Sequence, residues 1–115
     1  MPVEEAMPKI QPFERNVERY EAWFERHRFA YESELEAVRT LLPERGEGLE
    51  VGVGTGRFAG PLRVRVGVEP SRAMGRLAID RGVEVWSGIA EELPCQDSSF
   101  DYLLMIATVC FLDDE

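Results

Sequence analysis

The 115-residue sequence predicts an α/β fold built on a doubly wound parallel sheet. Short apolar alternations at Leu49–Val53, Val64–Val68 and Val83–Val85 are separated by segments with helical signals, which is the strand–crossover–strand rhythm of parallel βαβ units. The stretch LEVGVGTGRFAG, Leu49 to Gly60, ends the first alternation in a run of glycines. A near-continuous apolar run, Phe100 to Phe111, reads as a fourth strand buried on both faces.

The elements follow in order. Met1 to Gln11 carries two prolines and no periodicity and reads as an arm. From Phe13 an apolar stripe runs through Val17, Tyr20, Phe24, His27, Tyr31, Leu35, Val38 and Leu42, in steps of three or four, as one face of a helix requires. An unbroken helix of that length would span roughly 45 Å, more than a small domain's width, so a bend or break is expected near His27 to Tyr31. Pro43 to Gly48 is a turn, which divides the chain into an amino-terminal arm and helical cap (1–43) and a sheet-forming half (44–115). Gly56 to Ala59 leaves room for a short helix stopped by Gly60-Pro61. Ser71 is placed to cap a helix running to Arg81, with Gly82 in the C-terminal position. Ala90 to Leu93 allows about one further turn before Pro94. The ligand of such a sheet belongs at the carboxyl ends of its strands.

Composition narrows the function. Thirteen basic against twenty-two acidic side chains give a net charge of −9, a field that repels phosphate backbones. Arg63 and Arg65, and Arg26 and Arg28, lie among acids, so a nucleic-acid partner is disfavoured. The longest apolar run is too short to span a bilayer, and the acidic start MPVEEAMPKI lacks a secretion signal, so a cytosolic setting without a membrane partner is expected. Cys95 and Cys110 form no CxxC pair, and with one histidine a zinc site is not expected.

In Gly52-Val-Gly54-Thr-Gly56 the glycines supply positive φ at a strand-to-helix turn and let a ligand reach the backbone. No Gly-Lys-Ser/Thr follows, which excludes a P-loop, and Arg57 stands where the dinucleotide fingerprint places its third glycine. Glu69, in VGVEPSRAM, ends the second strand beside this turn. A carboxylate there accepts both hydroxyls of a ribose.

LEVGVGTGRF, VGVEPSRAM and GIAEELPCQDSSFDYLLMIATVCFLDD, at their spacing, make the chain from about Gly48 onward resemble the class I S-adenosylmethionine-dependent methyltransferases of the small-molecule type. YEAWF, Tyr20 to Phe24, fits the same family. The resemblance implies a Rossmann-like sheet of order 3-2-1-4 and S-adenosyl-L-methionine as cofactor. It implies that Glu50 orients the methionine end, that Gly52, Gly54 and Gly56 pass under methionine and ribose, and that Glu69 grips the ribose. Pro70 and Met74 would lie near the adenine, the backbone of Ile89 and Ala90 would meet its edge, and the Ile106 carbonyl would meet the methionine amino group. Many relatives carry Asp where this chain has Ile89. Losing that charged acceptor is expected to cost of order 1–3 kcal/mol of cofactor affinity unless an apolar contact or a carbonyl substitutes.

Methyl transfer from a sulfonium requires alignment more than acid–base work, and no strong catalytic residue stands out. Ala107-Thr-Val-Cys110 replaces the Asn/Asp-Pro-Pro-aromatic motif of amino-methylating DNA enzymes, which favours a small-molecule acceptor. Tyr20, His27 and Tyr31 share the cap's apolar face. His27 and Tyr20 are the candidate catalytic groups, and Tyr20, Tyr31 and Thr108 the candidate substrate contacts. Full domains of the family continue through three more strands. A chain ending at Asp114-Glu115 is therefore expected to be part of a longer protein, or to self-associate through the open fourth-strand edge. Alternatives to a methyltransferase are a non-catalytic S-adenosylmethionine- or nucleotide-binding module and an NAD-binding half-domain.

Overall fold

A computed structural model describes residues 17–88 and 100–106. Two helices come first, α1 (Val17–Arg26) and α2 (Arg28–Leu41). The sheet half follows as β1 (Gly48–Val51), α3 (Ala59–Leu62), β2 (Val66–Val68), α4 (Arg72–Asp80), β3 (Glu84–Trp86) and β4 (Tyr102–Met105). All strand pairs are parallel and the order is β3-β2-β1-β4, as expected.

The expected break in the amino-terminal helix falls at His27, the single residue between α1 and α2. The apolar stripe survives it, since Tyr20 and Phe24 on α1 and Tyr31, Leu35 and Val38 on α2 all pack inward. His27 itself does not: the turn carries it out to solvent, which corrects its placement on the buried face. Its Nδ1 donates to the Trp23 carbonyl at 2.9 Å, and its ring stacks on Trp23 with centroids 4.4 Å apart.

Two further expectations need correction. Gly60-Pro61 does not stop the short helix but lies within α3. Proline is tolerated in a first turn, where its missing N–H has no helical partner to lose, and Gly60 N–H still reaches the Gly56 carbonyl at 2.9 Å. The helix ends instead at Arg63, which takes a left-handed φ of 60°. β4 is also not buried on both faces. Strand alternation sends Leu104 into the helix-covered side, while Leu103 and Met105 stay 61% and 68% exposed on the other. The rest of the apolar run, from Ala107 on, and the segment 89–99 lie outside the described residues, and with them Cys110 and Cys95.

The helix after β2 forms as the sequence implies. Ser71 Oγ accepts from the Met74 N–H at 3.2 Å, and Gly82 follows the last turn at φ 91°. The core sits on both faces of the sheet. Val53, Ala59, Val64, Ala78, Val83 and Leu104 form one cluster under α2, α3 and α4. Leu49, Val51, Val66 and Val68 form another on the opposite face. A third, Tyr20, Phe24, Phe58 and Met74, joins α1 to the glycine turn and α4. No described helix is long and apolar enough to cross a membrane.

Candidate functional site

The glycine turn lies between the end of β1 and α3, where a parallel sheet of this kind presents a ligand site. Its start is pinned by the neighbouring strand, since the N–H groups of Gly52 and Val53 both donate to the Val68 carbonyl, at 2.8 and 3.0 Å. Gly52, Gly54 and Gly56 all have positive φ, at 71°, 61° and 82°. They differ in what faces them. A Cβ on Gly52 would meet nothing within 4 Å, so the backbone there is open to a ligand. A Cβ on Gly54 would lie 3.0 Å from the Tyr20 hydroxyl oxygen, and one on Gly56 would lie 3.0 Å from Ala78 Cα. Gly56 thus serves loop-to-helix packing as well as the turn.

Glu50 occupies the strand position before the glycines and faces the helix-covered side, paired in register with Leu104. It is 2% exposed. Burial pushes its carboxyl up to about 8, the Ala59 N–H pulls the other way, and the charge of Glu69 adds to the rise. Oε1 has no hydrogen-bond partner among the described residues. A buried carboxyl with an unsatisfied oxygen is costly, and such groups concentrate where a ligand completes them.

Glu69 follows β2 and bridges two elements. Oε1 accepts from the Gly54 N–H at 2.7 Å and Oε2 from the Ser71 N–H at 3.1 Å. The carboxylate thereby ties the glycine turn to the start of α4. Pro70 is half-buried beside it. Met74 is fully buried and packs with Tyr20, Phe24 and Phe58. Ile106, directly after β4, packs against both helix-side clusters. Ile89, Ala90 and Thr108 lie outside the described residues.

Among the cap residues, the structure brings Tyr20 and Tyr31 to the loop and leaves His27 apart. Tyr20 is buried with its hydroxyl against Gly54. Burial raises the Tyr31 hydroxyl above its usual range, so it stays a donor, and it donates a hydrogen bond to the Arg57 carbonyl at 2.5 Å.

Four residues that are not site candidates in the sequence meet at this junction: Glu21, Thr55, Arg57 and Arg81. Glu21 takes hydrogen bonds from the Thr55 hydroxyl at 2.5 Å, from Arg57 at 3.1 Å and from Arg81 at 2.8 Å. Burial pushes its carboxyl up, but these three donors outweigh that and hold it below the usual carboxylate range. Arg57 lies over the Phe24 and Tyr31 rings at 5.1 and 5.7 Å. The one sequence signal was Arg57 itself, an arginine where a glycine pattern would continue. Other arginines weighed as a basic patch are paired: Arg65 with Glu47 and Glu84, Arg28 with Glu25 and Glu32. Among the described residues no group of three or more His, Cys, Asp or Glu is placed to hold a metal ion.

Known proteins resemble this arrangement. Residues 49–115 match the family described as methyltransferase domain. A crystal structure of a SAM-dependent methyltransferase from Thermotoga maritima, described as a possible histamine N-methyltransferase, is 60% identical and superposes with a TM-score of 0.80 over 89% of this chain and 49% of that one. A Pyrococcus horikoshii protein of solved structure is 29% identical, with a TM-score of 0.59 over 67% of this chain and 41% of its own. An uncharacterized Methanocaldococcus jannaschii protein is 39% identical over 102 residues, 89% of this chain and 49% of its own length. An uncharacterized Mycobacterium bovis protein is 38% identical over 111 residues, 94% of this chain and 39% of its own. The chain therefore spans half or less of the length of the curated relatives it matches.

Proposed function

The chain belongs to the methyltransferase-domain family, the class I S-adenosylmethionine-dependent methyltransferases, and we propose that its glycine turn binds S-adenosylmethionine for methyl transfer to a small-molecule acceptor. Family membership supports S-adenosylmethionine over the NAD-binding reading. The observation that carries the proposal is the buried Glu50 carboxyl with an unpartnered oxygen at the root of the open glycine backbone. An α-ammonium group is the ligand feature that would satisfy it, and a nicotinamide dinucleotide has none. When bound, S-adenosylmethionine supplies a methyl group on a sulfonium, whose displacement is in line and needs no proton for the leaving group.

The chain's own residues bind and orient. Glu50 accepts from the ammonium, with the Ile106 carbonyl as a second acceptor. The backbone of Gly52 and Gly54 admits the ligand closely, and the Glu69 carboxylate accepts from the ribose hydroxyls. Pro70 and the backbone of Ile89 and Ala90 border the adenine. Tyr20, held over Gly54, is the best-supported contact on the acceptor side, with Thr108 a second. Tyr31 acts through the loop, since its hydroxyl is engaged by Arg57.

Two facts support a small acceptor. The net charge of −9 disfavours a phosphate polymer and favours a small cation. The Thermotoga maritima relative is described with histamine, a small amine, as its possible acceptor.

Calorimetry with S-adenosylhomocysteine and with NADH, side by side, tests the binding half. S-adenosylhomocysteine is expected to bind, and Glu50→Gln to weaken it about ten- to hundredfold, the worth of a charge-assisted buried hydrogen bond. Binding of NADH alone, or an unchanged affinity in Glu50→Gln, would overturn the assignment. Transfer of labelled methyl to histamine and related amines tests catalysis. Binding without transfer to any small acceptor favours the non-catalytic module.

A further inference from the structure

One carboxylate of the amino-terminal cap ties it to both the glycine turn and α4. Glu21, on α1, sits next to Tyr20 and takes donors from two other elements. Its Oε2 accepts from the Thr55 hydroxyl at 2.5 Å, and its Oε1 from Arg57 Nη2 at 3.1 Å and Arg81 Nη2 at 2.8 Å. Thr55 and Arg57 belong to the turn, and Arg81 closes α4. Arg81 also donates from Nη1 to the Thr55 carbonyl at 2.7 Å, and Arg57 Nη2 reaches Glu25 on the next turn of α1 at 3.2 Å. The pair is largely withdrawn from water, with the Arg57 and Glu21 side chains 12% and 19% exposed.

The turn is thus held from outside at residues 55 and 57. Side chains are gripped by Glu21, the Thr55 carbonyl by Arg81 and the Arg57 carbonyl by Tyr31. One residue back along α1, Tyr20 sets its hydroxyl against Gly54, the residue whose N–H is also held by Glu69. The same α1 turn therefore fixes the shape of the loop and the position of the tyrosine above it.

We propose that Glu21 is a positioning residue: its carboxylate latches the cap to the glycine turn and to α4, holds Tyr20 over Gly54, and so sets the affinity of the loop for its ligand. The affinity part rests on the reading of the turn as an S-adenosylmethionine site; the latch itself does not. Removing the charge leaves Arg57 and Arg81 in a poorly hydrated junction with one carboxylate, Glu25, in reach of Arg57 alone. That unbalanced state is relieved by the cap moving off the loop.

Two measurements on the whole protein test this. In the first, hydrogen exchange without ligand compares wild type with Glu21→Gln. Protection of the amides of residues 52–57 is expected to fall at least about tenfold, while β2 and β3 keep theirs. Equal protection in the turn overturns the latch. In the second, calorimetry with S-adenosylhomocysteine covers wild type and Glu21→Gln, with Val66→Ala, in the cluster on the opposite face of the sheet, as a packing-destabilised control. Glu21→Gln is expected to weaken binding about tenfold, because the latch sets the shape of the loop. Val66→Ala is expected to leave affinity unchanged. Equal losses in Glu21→Gln and Val66→Ala, or an unchanged affinity in Glu21→Gln, overturn the positioning role. Failure of wild type to bind overturns the site reading and, with it, the affinity part, while the exchange result still decides the latch.

Discussion

Replacing Glu50 by glutamine is expected to make the protein more stable at neutral and alkaline pH, contrary to the usual outcome of altering a buried polar residue. The Glu50 carboxyl rises from 4.5 to about 8 in the folded state, through burial first and the Glu69 charge second. The folded protein therefore holds a proton that the unfolded chain gives up. Between the unfolded and folded values the native state binds more protons, so stability falls as pH rises. The window runs from pH 4.5 to about 8. At about 1.36 kcal/mol per pH unit, the full loss across it approaches about 5 kcal/mol, a large share of an ordinary domain's stability. Glutamine keeps an oxygen for the Ala59 N–H and never ionises. Glu21 works the other way, because its carboxyl is held below the usual range, but its effect falls at pH below 4.5 and outside this window.

The assay is urea unfolding at pH 5, 6, 7 and 8 for wild type and Glu50→Gln, with the difference isolating residue 50 because other groups titrate in both. The two curves should meet near pH 5 and separate steadily, glutamine above, by several kcal/mol at pH 8. Saturating S-adenosylhomocysteine should close much of the gap, since an ammonium partner lets Glu50 ionise in place. Parallel curves without ligand would refute the burial argument, and a gap of opposite sign would show that Glu50 is already paired.

Two other outcomes follow from the packing. Gly56→Ala should cost about 2 kcal/mol or more, because φ is 82° and the added methyl would lie 3.0 Å from Ala78 Cα in α4, where backbone must move; thermal unfolding measures it. Leu104→Ala and Leu103→Ala should separate adjacent residues of one strand. The first empties a core position at a cost of about 2–4 kcal/mol, and the second, 61% exposed, should stay within about 0.5 kcal/mol in the same denaturant titration.

Local pattern carried most of the fold. Alternating valines gave β1 to β3, Ser71 and Gly82 bounded α4, and steps of three and four residues marked the cap helices and the need for a break. These signals are local because strand pleat, helix period and end-capping are satisfied within a few residues of the chain. The candidate loop was legible for the same reason, since positive φ at Gly52, Gly54 and Gly56 is a property of single residues. Glu69 was legible from its place at a strand end, though not its bonds to Gly54 and Ser71.

Other features depended on partners distant in sequence. Pro61 reads from sequence as a helix stop but lies inside α3, because its tolerance depends on where the helix begins. Whether His27 faced the core depended on a one-residue turn that redirects the chain. That Met74 packs with Tyr20, Phe24 and Phe58 likewise depends on elements distant in sequence.

By itself the sequence determined a parallel α/β sheet, a glycine turn after its first strand and an acid after its second, all set by backbone geometry and near-neighbour chemistry. Only the tertiary structure decided that Glu50 is buried with an oxygen unsatisfied, and that Glu21 joins Thr55, Arg57 and Arg81 across separations of 34, 36 and 60 residues. Desolvation and ion pairing arise from groups folding together, so no local pattern along the chain encodes them.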